Sequence, residues 1–276
     1  MSIFEGIVYG IVSGIAEFLP VSSQAHESLL KVLFGYAGTE YLRELFIHAG
    51  LIAAVIVCCG PYIGRLRRDR YLSSRRFKSR GRHQTLKSTY DLRLLKTALM
   101  PMLVGLLLYG VCFSFGSNTV LLGLFFVVNG VILYVPEHFP QGNKDASKFS
   151  GLDGILLGIC GALSVLPGIS RIGCILSAAV LRGADRQHAL NWALLLSIPA
   201  LIMIIIFDFI GLFAYPMGSI SFGMVVGYIL SGMFAFGAGC CGILLMRFLT
   251  VRGGYASLAF YSWGAAMLSF ILYFIV

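Results

Sequence analysis

Apolar residues run in long blocks along this chain, at 97–115, 119–135, 191–210, 222–246 and 255–276, with a shorter block at 46–62. A helix needs about 20 such residues to cross the hydrocarbon of a bilayer. Unpaired backbone polar groups are too costly in lipid, so these blocks predict helices that cross it repeatedly.

Two further apolar stretches are short and interrupted. Glu5-Gly-Ile-Val-Tyr-Gly-Ile-Val-Ser-Gly-Ile-Ala-Glu-Phe-Leu-Pro20 resembles Asp153-Gly-Ile-Leu-Leu-Gly-Ile-Cys-Gly-Ala-Leu-Ser-Val-Leu-Pro167, and one gap aligns the acid, the positions after it and the proline. Ser23 then falls opposite Ser170. After each proline come polar residues and a second apolar stretch, at 28–35 and 172–181. This pattern predicts a helical hairpin that enters and leaves the membrane on one side, a break tolerated only where protein or a water-filled cavity surrounds it. The expected architecture is an all-α polytopic membrane protein, one domain over 1–276, built as an inverted repeat of 1–135 and 152–276. Each half holds one re-entrant hairpin and three spans, and three crossings invert the second half relative to the first.

Composition agrees with a lipid solvent: 58% of the 276 residues are hydrophobic and 12% charged, against roughly 45–50% and 25% in soluble domains. The net charge of +9 does not call for a nucleic acid, because 12 of the 21 Lys and Arg lie between Arg65 and Lys96. We read 63–96 as one basic cytoplasmic loop against anionic headgroups. With that loop inside, 136–152, 182–190 and 247–254 also fall inside, both termini fall outside, and the two hairpin tips meet from opposite faces. The seven cysteines sit in apolar stretches without zinc-like spacing and are expected to be small core residues. The N-terminal stretch lacks a basic leader region and carries Glu5 and Glu17, so it is expected to stay in the mature protein.

The tips carry the candidate chemistry: Glu17, Ser22, Ser23, Gln24 and His26 in the first, Ser170 and Arg171 in the second. A carboxylate or guanidinium at membrane depth costs at least about 2.5–3.5 kcal/mol, so both are expected to face a shared cavity or each other. In Pro167-Gly-Ile-Ser-Arg171, Gly168 lets the backbone turn, and the following helix start, the serine hydroxyl and the guanidinium suit a phosphate. His26 or Glu17 would serve as general acid or base, and Ser23 or Ser170 as nucleophile or oxyanion donor. A purely structural Glu17–Arg171 ion pair is the alternative. Glu27 and Glu5, near the first tip and its base, could help hold a cation. His48 and Asp208 read as buried, satisfied polar groups, and His83, His138 and His188 as solvated loop residues.

Ser13-Gly-Ile-Ala-Glu-Phe-Leu-Pro-Val-Ser-Ser-Gln-Ala-His26 resembles the first signature of the bacterial undecaprenyl-diphosphate phosphatase (bacitracin-resistance) family, and Pro167-Gly-Ile-Ser-Arg-Ile-Gly173 its second. Leu45–Val55 and Ala193–Pro199 extend the likeness over most of the chain. The resemblance implies an inverted-repeat enzyme of the cytoplasmic membrane that removes the terminal phosphate of a C55 polyprenyl diphosphate at the outer face. It regenerates the lipid carrier of cell-wall glycans and depends on a divalent cation, Mg or Ca. Carried over by position, the implied diphosphate-binding set is Ser22, Ser23, Gly168, Ser170, Arg171 and Gly173. The implied catalytic set is Glu17, Ser23, His26, Ser170 and Arg171; Glu17 and, from its place beside the tip, Glu27 are the candidate metal ligands.

Three positions depart: the family usually has Glu or Gln where Ser13 stands, Ser at Ile172 and Thr at Ile175. Losing a carboxylate or amide removes a cation ligand from the face of Glu17, and losing two hydroxyls dries the phosphate cradle. Two functional readings follow, a phosphatase, or a non-hydrolytic polyprenyl-phosphate transporter or lipid-binding paralogue that keeps the anion site. The chain's partners are expected to be this lipid, bulk membrane lipids and, as an open alternative, a second copy of itself.

Overall fold

The computed structural model describes residues 2–34, 40–78, 87–214 and 221–275, and everything below concerns those. The chain is helical throughout: α1 Ile3–Phe18, α2 Ser23–Phe34, α3 Glu40–Cys58, α4 Gly60–Lys78, α5 Lys87–Leu106, α6 Tyr109–Cys112, α7 Thr119–Tyr134, α8 Gly151–Ala162, α9 Arg171–Leu181, α10 Arg186–Ala214, α11 Phe222–Arg252 and α12 Ser257–Ile275. Five helices are long and apolar enough to cross a membrane, Tyr41–Cys58, Thr119–His138, Arg186–Ala214, Phe222–Arg252 and Ser257–Ile275. A sixth is added if Ser88–Leu106 and Tyr109–Ser117, bent by 49°, form one span. This is an integral membrane protein.

The acid that opens each repeated segment has a local cause. Ser2 caps α1 and Glu5 reaches back to the Ser2 N–H; Ser150 caps α8 and Asp153 does the same. Such reciprocal boxes satisfy two of the orphan N–H groups at a helix start. Between box and break, α1 has 16 residues and α8 has 12, so at 1.5 Å per residue they reach only about 24 and 18 Å, short of a roughly 30 Å hydrocarbon core. The returning helices α2 and α9, of 12 and 11 residues, are shorter still.

Each broken pair packs on a helix from the other half of the chain: α1 lies along α11, and α8 along α5. Small residues make this possible. Gly6, Gly10 and Gly14 face Gly227, Ser231 and Ala235, and a Cβ at Gly10 would stand 2.3 Å from the Ser231 carbonyl oxygen. Close backbone approach of this kind is how helices associate where lipid removes the hydrophobic drive between them. Around these pairs α3 packs on α10 and α11, and α7 on α12. Helix α9 is central, with Arg171 to Val180 all buried.

The basic segments gather at one end. Arg186 makes a bidentate pair with Glu137 at 2.9 and 2.9 Å, Arg182 Nε donates to Asp153 at 2.6 Å, Trp192 donates to Asp91 at 2.8 Å, and Arg247 donates to the Cys58 carbonyl at 3.1 Å. The 63–96 stretch differs from the loop expected of it: α4 runs on to Lys78 and α5 starts at Lys87, with 79–86, and so His83, outside the described residues. Alternating basic and apolar positions there let one face pack, with Leu66 and Leu94 buried. Of the cysteines expected in the core, Cys59, Cys112 and Cys174 are buried, whereas Cys241 is exposed.

Candidate functional site

The two breaks are built differently and meet. After α1, Pro20 and Val21 turn the chain, and Ser22 takes φ 68° before α2 begins at Ser23. After α8, a short 3-10 turn over Leu163–Val165 leads to Pro167 and to Gly168 at φ 113°. Ser170 then caps α9, its Oγ accepting from the Gly173 N–H at 3.2 Å. The Gly168 N–H donates to Ser22 Oγ at 3.0 Å, so one turn closes on the other.

A third element clamps the pair. Asn129, fully buried in α7, donates through Nδ2 to the Pro20 carbonyl at 2.9 Å and to Ser262 Oγ at 3.0 Å, and its Oδ1 accepts from the Ser170 N–H at 2.9 Å. One amide therefore satisfies a carbonyl of the first break and an N–H of the second, groups that could not stay unpaired in a dry interior.

Between the breaks lies a cavity with about 470 Å³ of empty space, part of it open at the mouth. Glu17, Ser23, Gln24, Glu27, His48 and Arg171 are among its lining residues. Arg171 Nη2 donates to Glu17 Oε1 at 2.9 Å, and Ser23 Oγ donates to Glu17 Oε2 at 2.6 Å. That leaves Arg171 Nε and Nη1, and Gln24 Nε2, buried with no partner among the described residues. Unmade bonds to a buried guanidinium are expensive, and a planar fork of unused donors is the geometry that receives two oxygens of a phosphate.

The family model described as "Bacitracin resistance protein BacA" matches residues 6–268. The chain belongs to the BacA family. Among curated relatives, an undecaprenyl-diphosphatase of Desulforapulum autotrophicum is 28% identical and covers 100% of both chains. One from Desulforudis audaxviator is 34% identical over 72% of this chain and 73% of its own, and one from Methanococcus vannielii is 28% identical over 98% and 100%.

Within this BacA-family chain, the structure sorts the residues expected at the site. Glu17, Ser22, Ser23, Ser170, Arg171 and Glu27 all line the cavity. His26 is not among the lining residues: Nδ1 bonds the Ser22 carbonyl at 2.8 Å, Nε2 bonds the Tyr261 hydroxyl at 2.8 Å, and the ring stacks on Tyr261. Of the backbone N–H groups around the start of α9, those of Gly168, Ser170 and Gly173 have internal acceptors, which leaves those of Arg171 and Ile172 without one among the described residues. Gly168 and Gly173 instead allow close packing: a Cβ at Gly168 would stand 2.6 Å from that of Phe125, and one at Gly173 would stand 3.1 Å from Pro20.

The departures fall in the same frame. Ile172 and Ile175 are fully buried in the hydrophobic core rather than in the cavity wall, so a hydroxyl there would not have wetted it. Ser13 donates its hydroxyl to Glu27 Oε1, which brings a carboxylate from α2 up to this position on α1. Glu5 serves only its capping box.

As metal ligands the expected acids fit poorly. Both Glu17 oxygens and one of Glu27 have partners, and no group of three or more His, Cys, Asp or Glu among the described residues could hold a metal ion. Sequence reasoning missed Asn129 altogether. A lone amide inside the apolar block 119–135 was the available signal, since such residues in a span are costly unless they do something.

Proposed function

We propose that this protein hydrolyses undecaprenyl diphosphate to undecaprenyl phosphate and inorganic phosphate. The observation that carries the reading is the buried Arg171, one nitrogen committed to Glu17 and two donors unused, facing a cavity in a family whose curated members are named undecaprenyl-diphosphatases. The terminal phosphate takes the free donors of Arg171, with Gln24 Nε2 beside them. Neutralising its charge lowers the barrier to attack.

Ser23 is the group best set up as nucleophile, since its hydroxyl already donates to a carboxylate at 2.6 Å. Ser170 is less suited, because its oxygen caps α9. In this reading the Ser23 oxygen attacks the terminal phosphorus, its proton passes to Glu17, and the bridging P–O bond breaks to release the lipid phosphate. Water then cleaves the phosphoserine. The donor set does not compose a preformed cation site, so no step runs through a metal; a divalent cation would enter on the diphosphate oxygens.

The capped, sub-span lengths of α1 and α8, their matching breaks and their crossed packing support two re-entrant hairpins in an inverted repeat of 1–135 and 152–276. The basic segments clustered at one end support a cytoplasmic face there. The cavity lies toward the other end: His48 is ten residues from Cys58, and Ile204 is eighteen from Arg186 but ten from Ala214. That favours an opening on the extracytoplasmic side of a bacterial inner membrane, where the phosphatase would return the lipid carrier to cell-wall synthesis. The comparisons do not support a non-hydrolytic carrier, since the relatives carry the name of a hydrolase. The test is phosphate release from C55 diphosphate by the purified protein in detergent with Mg or Ca; no release under any condition would overturn the reading.

A further inference from the structure

The hydrolytic half of such a reaction needs a base for water, and His26 has neither ring nitrogen to spare. Glu17 is also committed, holding Arg171 and, in the proposed first step, the Ser23 proton. The other histidine at the cavity is His48, of α3. Its Nδ1 lies 2.8 Å from Asp208 Oδ2 of α10, with both side chains buried. Nε2 has no hydrogen-bond partner among the described residues, and His48 lines the same cavity as Arg171 and Ser23. A histidine held through one nitrogen by a carboxylate, with the other left unbonded in a residue that lines the cavity, is the arrangement of an oriented base. The carboxylate fixes the tautomer and stabilises the imidazolium that forms.

We propose that His48 is the catalytic base of the hydrolytic step and that Asp208 is its positioning residue. A water in the cavity gives a proton to His48 Nε2 while its oxygen attacks the phosphorus of phosphoserine 23. The Oγ–P bond breaks, Ser23 regains the proton held on Glu17, and the imidazolium returns its proton to the departing phosphate. The charged groups around the His48–Asp208 pair are Glu44 and Arg43 on α3 and Glu27 and Lys31 on α2; Glu17 on α1, Arg171 on α9 and Tyr109 on α6 line the same cavity.

This inference rests on the phosphatase reading, and the experiment separates the two. Purified full-length protein is mixed with C55 diphosphate, and lipid phosphate and inorganic phosphate are followed separately. His48→Gln should lose roughly 10²–10⁴-fold in steady turnover yet give a first-turnover burst of lipid phosphate and a phosphate on Ser23 detectable by mass spectrometry. Asp208→Asn should lose less and shift the acidic limb of the pH–rate profile, which a merely structural contact would leave in place. Added imidazole should restore part of the turnover of His48→Ala, which keeps the proposal open to refutation if the glutamine variant melts early. Wild-type rates and an unchanged pH profile in His48→Gln, or a slow variant with neither burst nor phosphoserine, would overturn the assignment of His48. Absence of hydrolysis by the wild type would instead overturn the phosphatase reading itself.

Discussion

The break after α1 turns on a serine at φ 68° and delivers oxygen groups, Glu17 and Ser23, while the break after α8 turns on a glycine at φ 113° and delivers the guanidinium of Arg171. The same backbone problem has two solutions because the two turns face different neighbours. At Gly168 any side chain would run into Phe125, so only glycine serves. At Ser22 a left-handed backbone costs of order 1 kcal/mol in a non-glycine residue, but the hydroxyl accepts the Gly168 N–H and ties the turns together. One break thus supplies the acid and nucleophile, the other the anion receptor, and neither is a site alone.

That division can be broken most severely at Arg171. Arg171→Ala should reduce phosphate release more than about a thousandfold, Arg171→Lys should remain poor because a point charge lacks the fork, and Arg182→Ala, half-exposed at the basic end, should change little. Equal activities of the alanine variants would remove the receptor role from the second break. Glu17→Gln comes next: it keeps the volume, frees more of Arg171 and removes the acceptor of the Ser23 proton. We expect kcat to fall by about 10²-fold with KM unchanged or lower, and a rise in KM alone would show that the first break binds rather than reacts.

Asn129→Leu tests the clamp. It strands the Ser170 N–H and the Pro20 carbonyl, so the melting midpoint should drop by an amount equivalent to about 3 kcal/mol, and activity should fall with it. The smallest effect should come from Ser22→Gly, where relief of the strained φ offsets the lost hydrogen bond, each about 1 kcal/mol. Stability should stay near that of the wild type while turnover declines several-fold; a fully active variant would mean that the two turns need no bond between them.

Much of this was legible along the chain because it is local. Proline, glycine and serine at the ends of two short apolar segments announced the breaks, and the polar residues within them, Glu17, Ser22, Ser23, Ser170 and Arg171, share one cavity. What the sequence hid is what topology decides. His48 and Asp208 are 160 residues apart, so each looked like a single buried polar group, and their pairing exists only because α3 and α10 cross. Asn129 was hidden in the same way by partners 109 and 41 residues distant. His26 could not be placed from the motif either: its ring bonds the Ser22 carbonyl and the Tyr261 hydroxyl, the latter 235 residues away. Among the departures, Ser13 could not be judged without seeing Glu27 beside it.

The packing of α1 into α11 bears on how the protein is made. Gly6 meets Gly227, a groove that leaves the ribosome more than two hundred residues later, a delay of roughly 10 to 40 s at 5–20 residues per second. Throughout that interval the glycine stripe of the nascent first hairpin lies bare, and for most of it Glu17 lacks its guanidinium partner, which follows 154 residues later. Something other than the finished fold, an insertase or the headgroup region, must shelter it until the C-terminal spans arrive.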